Sequence, residues 1–317
     1  MSPDSKELVW LITGTSSGLG RCLTLAALKR GDKVIATSRG RSFSKLEDLK
    51  AQGANILELD VTAPPETVEE VAKKAIQIYG RIDVLVHNAA RDFLVIHRAV
   101  IVFTESSARL RRNWPIGREI EDYDQFNTHI FGPLNINRAF LPYMRERRKG
   151  TVVWVGSLGG WRGIPTMGLY CATKHAAFHH HCTKRYLRLA CAAYAGSFRS
   201  NIAEGAHYDS PDARIDDYKK MAAAADASRE GTLVSIFVVE SPYLIITSYE
   251  VGDPEKYAEV IVDVVRGEGC ALGKPFPSSL PLGSDAHGVI EGVCKNMIEQ
   301  LGKWKDVSYS TDFLKDA

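Results

Sequence analysis

The feature that most constrains this chain lies near its start. Leu8–Thr13, LVWLIT, is a short apolar run that breaks at once into Gly14-Thr15-Ser16-Ser17-Gly18-Leu19-Gly20. A run this short and this uniformly apolar suits a strand buried on both faces of a parallel sheet. Glycines at its end let the backbone turn tightly and leave no Cβ between it and a ligand. Leu19, Cys22, Leu23, Ala26 and Ala27 then recur at helical spacing and stop at Gly31. A strand, a glycine turn and a helix in that order offer free N–H groups and a positive dipole end to an anion such as pyrophosphate. The plainer alternative is a glycine-rich turn with no ligand.

The pattern continues to Asn88. Lys33–Ser38 (KVIATS) reads as a second strand and Asn55–Leu59 as a third, followed by Asp60 and Val61. A helix from Glu66 to Tyr79 carries Val68, Val71, Ala72, Ala75 and Ile76 on one stripe and stops at Gly80. Ile82–Val86 is a fourth strand, leading into His87-Asn88-Ala89-Ala90. Strands alternating with helices at this spacing predict an α/β, doubly wound Rossmann fold with a parallel sheet of about seven strands. The second strand ends in Arg39 rather than in the acid that would hold a ribose 2′-hydroxyl. Arg39 can receive a 2′-phosphate, which favours NADP(H) over NAD(H). A solvated surface arginine is the alternative.

Farther along, Glu121–Arg147 reads as one long helix and Thr151–Gly156 (TVVWVG) as a fifth strand. Ser157 sits at that strand's C-terminal end, the edge where open α/β sheets bind ligands. Tyr170 and Lys174 share one face if they lie on a helix, and an ammonium beside a phenol favours the phenolate. Tyr170 then becomes a proton donor to a carbonyl oxygen or an acceptor from an alcohol, with Ser157 supplying a second hydrogen bond. Tyr and Lys at this spacing also occur by chance on many helices. Leu189–Tyr194 is a weak sixth strand. A helix opens at Asp253-Pro254, carrying Tyr257, Val260, Ile261, Val264 and Val265. A final helix from about Asp285 sets Val289, Ile290, Val293, Cys294, Met297, Ile298 and Leu301 on one face.

Composition narrows the function classes. A net charge of +2 gives no basis for nucleic-acid or anionic-membrane binding, and 45% hydrophobic with 25% charged residues is ordinary for a globular protein. No apolar run is long enough to span a bilayer, and the start, MSPDSKE, has no secretory pattern. The six cysteines form no C-x-x-C pair, which fits reduced thiols in the cytoplasm. His175 and His179 have a spacing that can hold zinc, but without a third ligand a surface or interface helix is the better reading, and no metal is assigned. The expectation is a single domain over 1–317, with irregular insertions at about 91–117 and 231–249 where periodicity fails. These read as foreign to the fold, in the manner of translated intron sequence.

Thr-Gly with the spacing G-x-x-x-G-x-G, Asn88-Ala89-Ala90 after the fourth strand, and Ser157, Tyr170 and Lys174 together resemble the short-chain dehydrogenase/reductase family. In detail they are similar to its branch with 17β-hydroxysteroid dehydrogenase type 1 and retinol-dehydrogenase-like proteins. The resemblance implies hydride transfer between NADP(H) and a ketone or secondary alcohol of a small, apolar substrate. Gly14, Ser17, Gly18, Leu19 and Gly20 are then expected along the pyrophosphate and Arg39 at the adenosine phosphate. Asp60 and Val61 would flank the adenine, Asn88 the ribose, and Ser200 the carboxamide. Tyr170 is the implied acid/base, Lys174 its partner at the nicotinamide ribose, and Ser157 the group positioning the carbonyl. His129 stands where the family has a catalytic Asn, and a homodimer or homotetramer is the implied assembly. Because His129, Ala90 and Ala195 depart from the family pattern, a non-catalytic dinucleotide-binding protein is the alternative.

Overall fold

The computed structural model describes residues 7–90, 119–163, 168–180, 189–196, 198 and 252–313. Both irregular stretches and Ser200 lie outside them. The sheet has seven parallel strands: β1 (Val9–Thr13), β2 (Lys33–Ser38), β3 (Asn55–Glu58), β4 (Val84–His87), β5 (Thr151–Ser157), β6 (Leu189–Ala195) and β7 (Ser279–Leu282). Their order is β3-β2-β1-β4-β5-β6-β7. The winding therefore reverses between β1 and β4, and the crevice beyond their C-terminal ends is where such sheets receive ligands.

Alternation within β1 sends Val9 and Leu11 to one face and Trp10 and Ile12 to the other. Each face must then be covered. Helix α1 (Gly18–Lys29) and helix α7 (Pro254–Arg266) cover the Trp10 side through Leu23, Ala27, Ala258 and Ile261. Helix α3 (Pro65–Tyr79) and helix α5 (Gly132–Glu146) cover the Leu11 side through Val68, Ala72, Ile136 and Phe140. Burying each large apolar side chain stabilises the fold by roughly 1.5–3 kcal/mol. The short helix α2 (Glu47–Ala51) packs Leu49 beside Ala36 of β2. Helix α7 begins as its sequence predicts, with Asp253 Oδ1 accepting from the Glu255 and Lys256 backbone N–H groups and Pro254 in the first turn.

Beneath this layer Asp32 joins the start of the chain to its far end. Its carboxylate accepts from Leu8 N at 3.0 Å, Trp10 Nε1 at 2.9 Å and Arg266 Nη1 at 2.5 Å. The Asp32 side chain is fully buried and that of Arg266 is 5% exposed.

Four elements depart from the sequence-based expectation. The long helix at 121–147 is not one α-helix: α4 (Glu119–Phe126) passes through a π turn, Asn127–Phe131, into α5. Strand β6 occupies a core position despite its alanines, because Tyr194 fills the space. A Cβ on Gly156 of β5 would stand 2.7 Å from the Tyr194 ring, so glycine there admits the phenol. Strand β7 has no apolar signal in SLPL and is defined by pairing, Ala193 with Leu280 and Ala195 with Leu282. In the last long helix, α8 (Ser284–Lys303), only Ala286 is buried. The apolar stripe ending in Met297, Ile298 and Leu301 faces outward, each of these more than half exposed.

Candidate active site

The glycine loop is locked by β4. Thr13 Oγ1 donates to Val86 O and accepts from Asn88 N and Ala89 N, both at 3.0 Å. Asn88 Nδ2 donates to Thr13 O at 2.8 Å and Gly14 O at 3.0 Å. Thr15 ties the other side down, its N and Oγ1 both donating to Thr37 O of β2. Gly14 (φ 72°) takes a left-handed conformation, and a Cβ there would stand 2.7 Å from Ala89 Cα. A Cβ on Gly20 would collide with Asn88 Nδ2 and Gly14 O. These glycines permit the tight turn expected of them and the close packing of the loop on β4.

The α1 N-terminus suits an anion. Ser17 is its exposed, extended N-cap, makes no side-chain capping bond, and no acid lies in the first turn. Gly18 (φ 56°) begins the helix, and Leu19 packs partly into the core. A pyrophosphate fits this donor set, which has backbone N–H groups, no competing carboxylate and no interposed Cβ.

Arg39 follows β2 and is half-buried. A Cβ on the adjoining Gly40 would stand 2.5 Å from Glu58 Oε1, which brings an exposed carboxylate to the same turn. Asp60 Oδ1 accepts from Thr62 N and Thr62 Oγ1. Val61 buries its side chain in the core, and its carbonyl leaves no room for a Cβ on Gly132.

The second group of expected site residues is built on β5 and helix α6 (Gly168–His180). Ser157 closes β5, its Oγ accepting from Gly159 N at 3.2 Å. A Cβ on Gly159 would stand 3.0 Å from Tyr170 Cε1, so the phenol ring lies against the turn that follows Ser157. Lys174, 7% exposed, donates from Nζ to Val155 O at 3.2 Å, and Nζ is 5.7 Å from the Tyr170 ring centroid. His175, read from sequence within a histidine run, instead donates Nδ1–H to Gly160 O at 2.8 Å and pins α6 to this turn. No cluster of three metal-binding side chains exists among the described residues.

The π turn brings His129 to the same place. Its ring meets that of Tyr170 edge-on at 5.9 Å, and Nδ1 is 2.9 Å from Thr173 Oγ1. Ser157, Tyr170, Lys174 and His129 therefore converge at one end of β5 and α6, while Gly14, Gly18, Gly20 and Asn88 gather at the ends of β1 and β4. Thr13 and Thr15 stand within the glycine motif but were given no role from sequence, and Thr173 was missed. Their only signal is a buried hydroxyl beside a motif, and many threonines share it.

The short-chain dehydrogenase family model matches residues 8–185, more than half of the chain. This chain belongs to the short-chain dehydrogenase family. Among solved structures, a short-chain dehydrogenase from Streptomyces avermitilis has a TM-score of 0.74 at 30% identity, covering 98% of this chain and 100% of that one. A metagenomic short-chain oxidoreductase in complex with NADP shares the fold, with a TM-score of 0.58 at 16% identity over 88% of this chain and 98% of its own. Among curated relatives, the 3-ketodihydrosphingosine reductase of Bacteroides thetaiotaomicron is 34% identical over 166 residues, 52% of this chain and 53% of that protein. The chain spans little more than half the length of the curated relatives it matches first. No described helix is long and apolar enough to cross a membrane.

Proposed function

We propose that this protein is an NADP(H)-dependent oxidoreductase of class EC 1.1.1.- acting on a ketone, or the matching secondary alcohol, of a small apolar substrate. The observation that carries this reading is the placement of Lys174 Nζ 5.7 Å from the Tyr170 ring, beside the Ser157 turn. The Lys174 charge favours loss of the phenolic proton. In reduction Tyr170 Oη gives that proton to the carbonyl oxygen, while the Ser157 hydroxyl donates a hydrogen bond to the same oxygen; oxidation runs in reverse. The nicotinamide, when bound, supplies the hydride. Gly14, Ser17, Gly18, Leu19 and Gly20 hold the pyrophosphate in this reading, and Asn88 and Lys174 serve the ribose side. Asp60 and Val61 border the adenine and Ser200 the carboxamide. Arg39 supports the 2′-phosphate, as does the NADP bound by the metagenomic relative. Gly159 and Cys171, beside Tyr170, are uncharged, in keeping with an apolar substrate.

His129 completes the catalytic set in place of an asparagine. Tyr123 of α4 and Phe131 of the π turn, 74% and 48% exposed, support burial in a homodimer or homotetramer. The free thiols Cys22, Cys171, Cys191, Cys270 and Cys294 support a reducing, cytoplasmic setting.

The test is titration with NADPH and NADH by cofactor fluorescence, followed by a ketone panel with wild type and Tyr170→Phe. The expected result is tighter NADPH than NADH binding and a kcat at least ~100-fold lower in Tyr170→Phe with binding retained. NADPH binding without turnover on any ketone would favour the non-catalytic reading that His129 raises.

A further inference from the structure

Thr173 lies between the two helical elements of the site, and its side chain is fully buried. Its Oγ1 is 2.8 Å from Tyr170 O and 2.9 Å from His129 Nδ1. A hydroxyl has one hydrogen, and a carbonyl oxygen can only accept. Both bonds coexist in one arrangement: Thr173 donates to Tyr170 O and accepts from His129 Nδ1–H. A neutral imidazole carries a single N–H, so the lone pair then resides on Nε2. Any bond that Nε2 makes in the neutral ring, it makes as an acceptor.

We propose that Thr173 is a positioning residue that sets the tautomer of His129, holding Nε2 as the basic nitrogen of a ring edge-on to Tyr170. The consequence follows from geometry. An asparagine side chain offers an amide donor and a carbonyl acceptor that do not exchange protons near neutrality, whereas an imidazole with its lone pair on Nε2 takes up and returns one. The π turn brings the ring to Thr173, and Thr173 hangs from the carbonyl of Tyr170 itself. Movement of the Tyr170 turn therefore moves the acceptor that fixes the histidine. The catalytic meaning of this link rests on the oxidoreductase reading; the tautomer does not.

The experiment is long-range ¹H–¹⁵N correlation spectroscopy on protein labelled with ¹⁵N-histidine at neutral pH, with His129 assigned by the signals lost in His129→Gln. The wild type is expected to show protonated Nδ1 and unprotonated Nε2. Thr173→Val is expected to shift the ring toward the Nε2–H tautomer, and Thr173→Ser to keep the wild-type pattern. Where turnover is present, Thr173→Val lowers kcat several-fold without changing NADPH affinity. A wild-type ring protonated on Nε2 alone overturns the proposal, as does a folded Thr173→Val with an unchanged pattern. If the valine variant does not fold, the wild-type and serine spectra decide. Absence of turnover on every substrate would sink the oxidoreductase reading and leave the tautomer result standing.

Discussion

Asn88, at the end of β4, holds the end of β1 with one amide group: its Nδ2 donates to Thr13 O at 2.8 Å and to Gly14 O at 3.0 Å. The residue expected from family resemblance to lie along a ribose is thus also the clamp that shapes the phosphate loop. Asn88→Ala leaves two carbonyl oxygens at the switch point without their donor, each worth about 1–3 kcal/mol when buried. We expect NADPH affinity to fall by about tenfold or more, since 1.4 kcal/mol of loop distortion suffices. Fluorescence titration measures this, and an unchanged affinity would refute the clamp.

Glu58 is expected to oppose the proposed preference for a phosphorylated cofactor. Its carboxylate lies over Gly40, next to Arg39, where the proposed 2′-phosphate would sit. Two like charges a few ångströms apart at the surface repel by about 1 kcal/mol in water. Glu58→Gln is therefore expected to tighten NADPH binding about fivefold at low salt and leave NADH binding nearly unchanged. Equal changes for both cofactors would place Glu58 away from the phosphate.

His87 makes stability depend on pH. Burial, partly offset by the hydrogen bond from Nε2 to Asn137 Oδ1 at 2.8 Å, holds its pKa down from 6.5 to about 4. Nδ1 has no partner among the described residues, and Trp154 lies 4.5 Å from the ring. The folded state keeps the ring neutral while the unfolded chain takes up a proton. This contribution is fully present above pH 6.5 and is lost as pH falls toward 4, to a total of roughly 3 kcal/mol. Urea unfolding across that window should show a slope that shrinks in His87→Asn. Identical slopes in the two proteins would mean the ring is not held neutral.

Asp32→Asn tests the buried ion pair with Arg266. Removing one partner strands a guanidinium whose side chain is 5% exposed, although Glu268 also accepts from it at 3.0 Å. Such losses cost about 3–5 kcal/mol. A denaturation midpoint shifted by less than 1 kcal/mol-equivalent would show that Glu268 and water replace Asp32. Cofactor affinity is expected to stay the same, because the pair sits at the N-terminal edge of the sheet.

Much of this protein was legible without coordinates, for reasons specific to certain residues. The run Leu8–Ile12 is apolar at every position because β1 is buried on both faces, so Trp10 and Leu11 announce the sheet equally. The stripe of Val68, Ala72 and Ala75 is visible because one helix covers one face. Tyr170 and Lys174 were readable because their proximity is local, one helical turn. Where burial depends on distant partners, the sequence carried no such signal. SLPL becomes β7 only by pairing with β6, and the stripe of α8 has helical period yet faces outward. Local periodicity records what a segment can bury, not whether anything arrives to cover it.

The first five strands along the chain, the glycine loop and the spacing of Tyr170 and Lys174 were determined by the sequence itself, since each rests on short-range spacing and backbone freedom. Tertiary structure decided the remainder. It opened a π turn that carries His129 to Thr173, and it hung the glycine loop on Asn88 across the gap between β1 and β4. Those relationships join residues far apart in the chain, and their strength comes from burial that exists only once the sheet has closed around them.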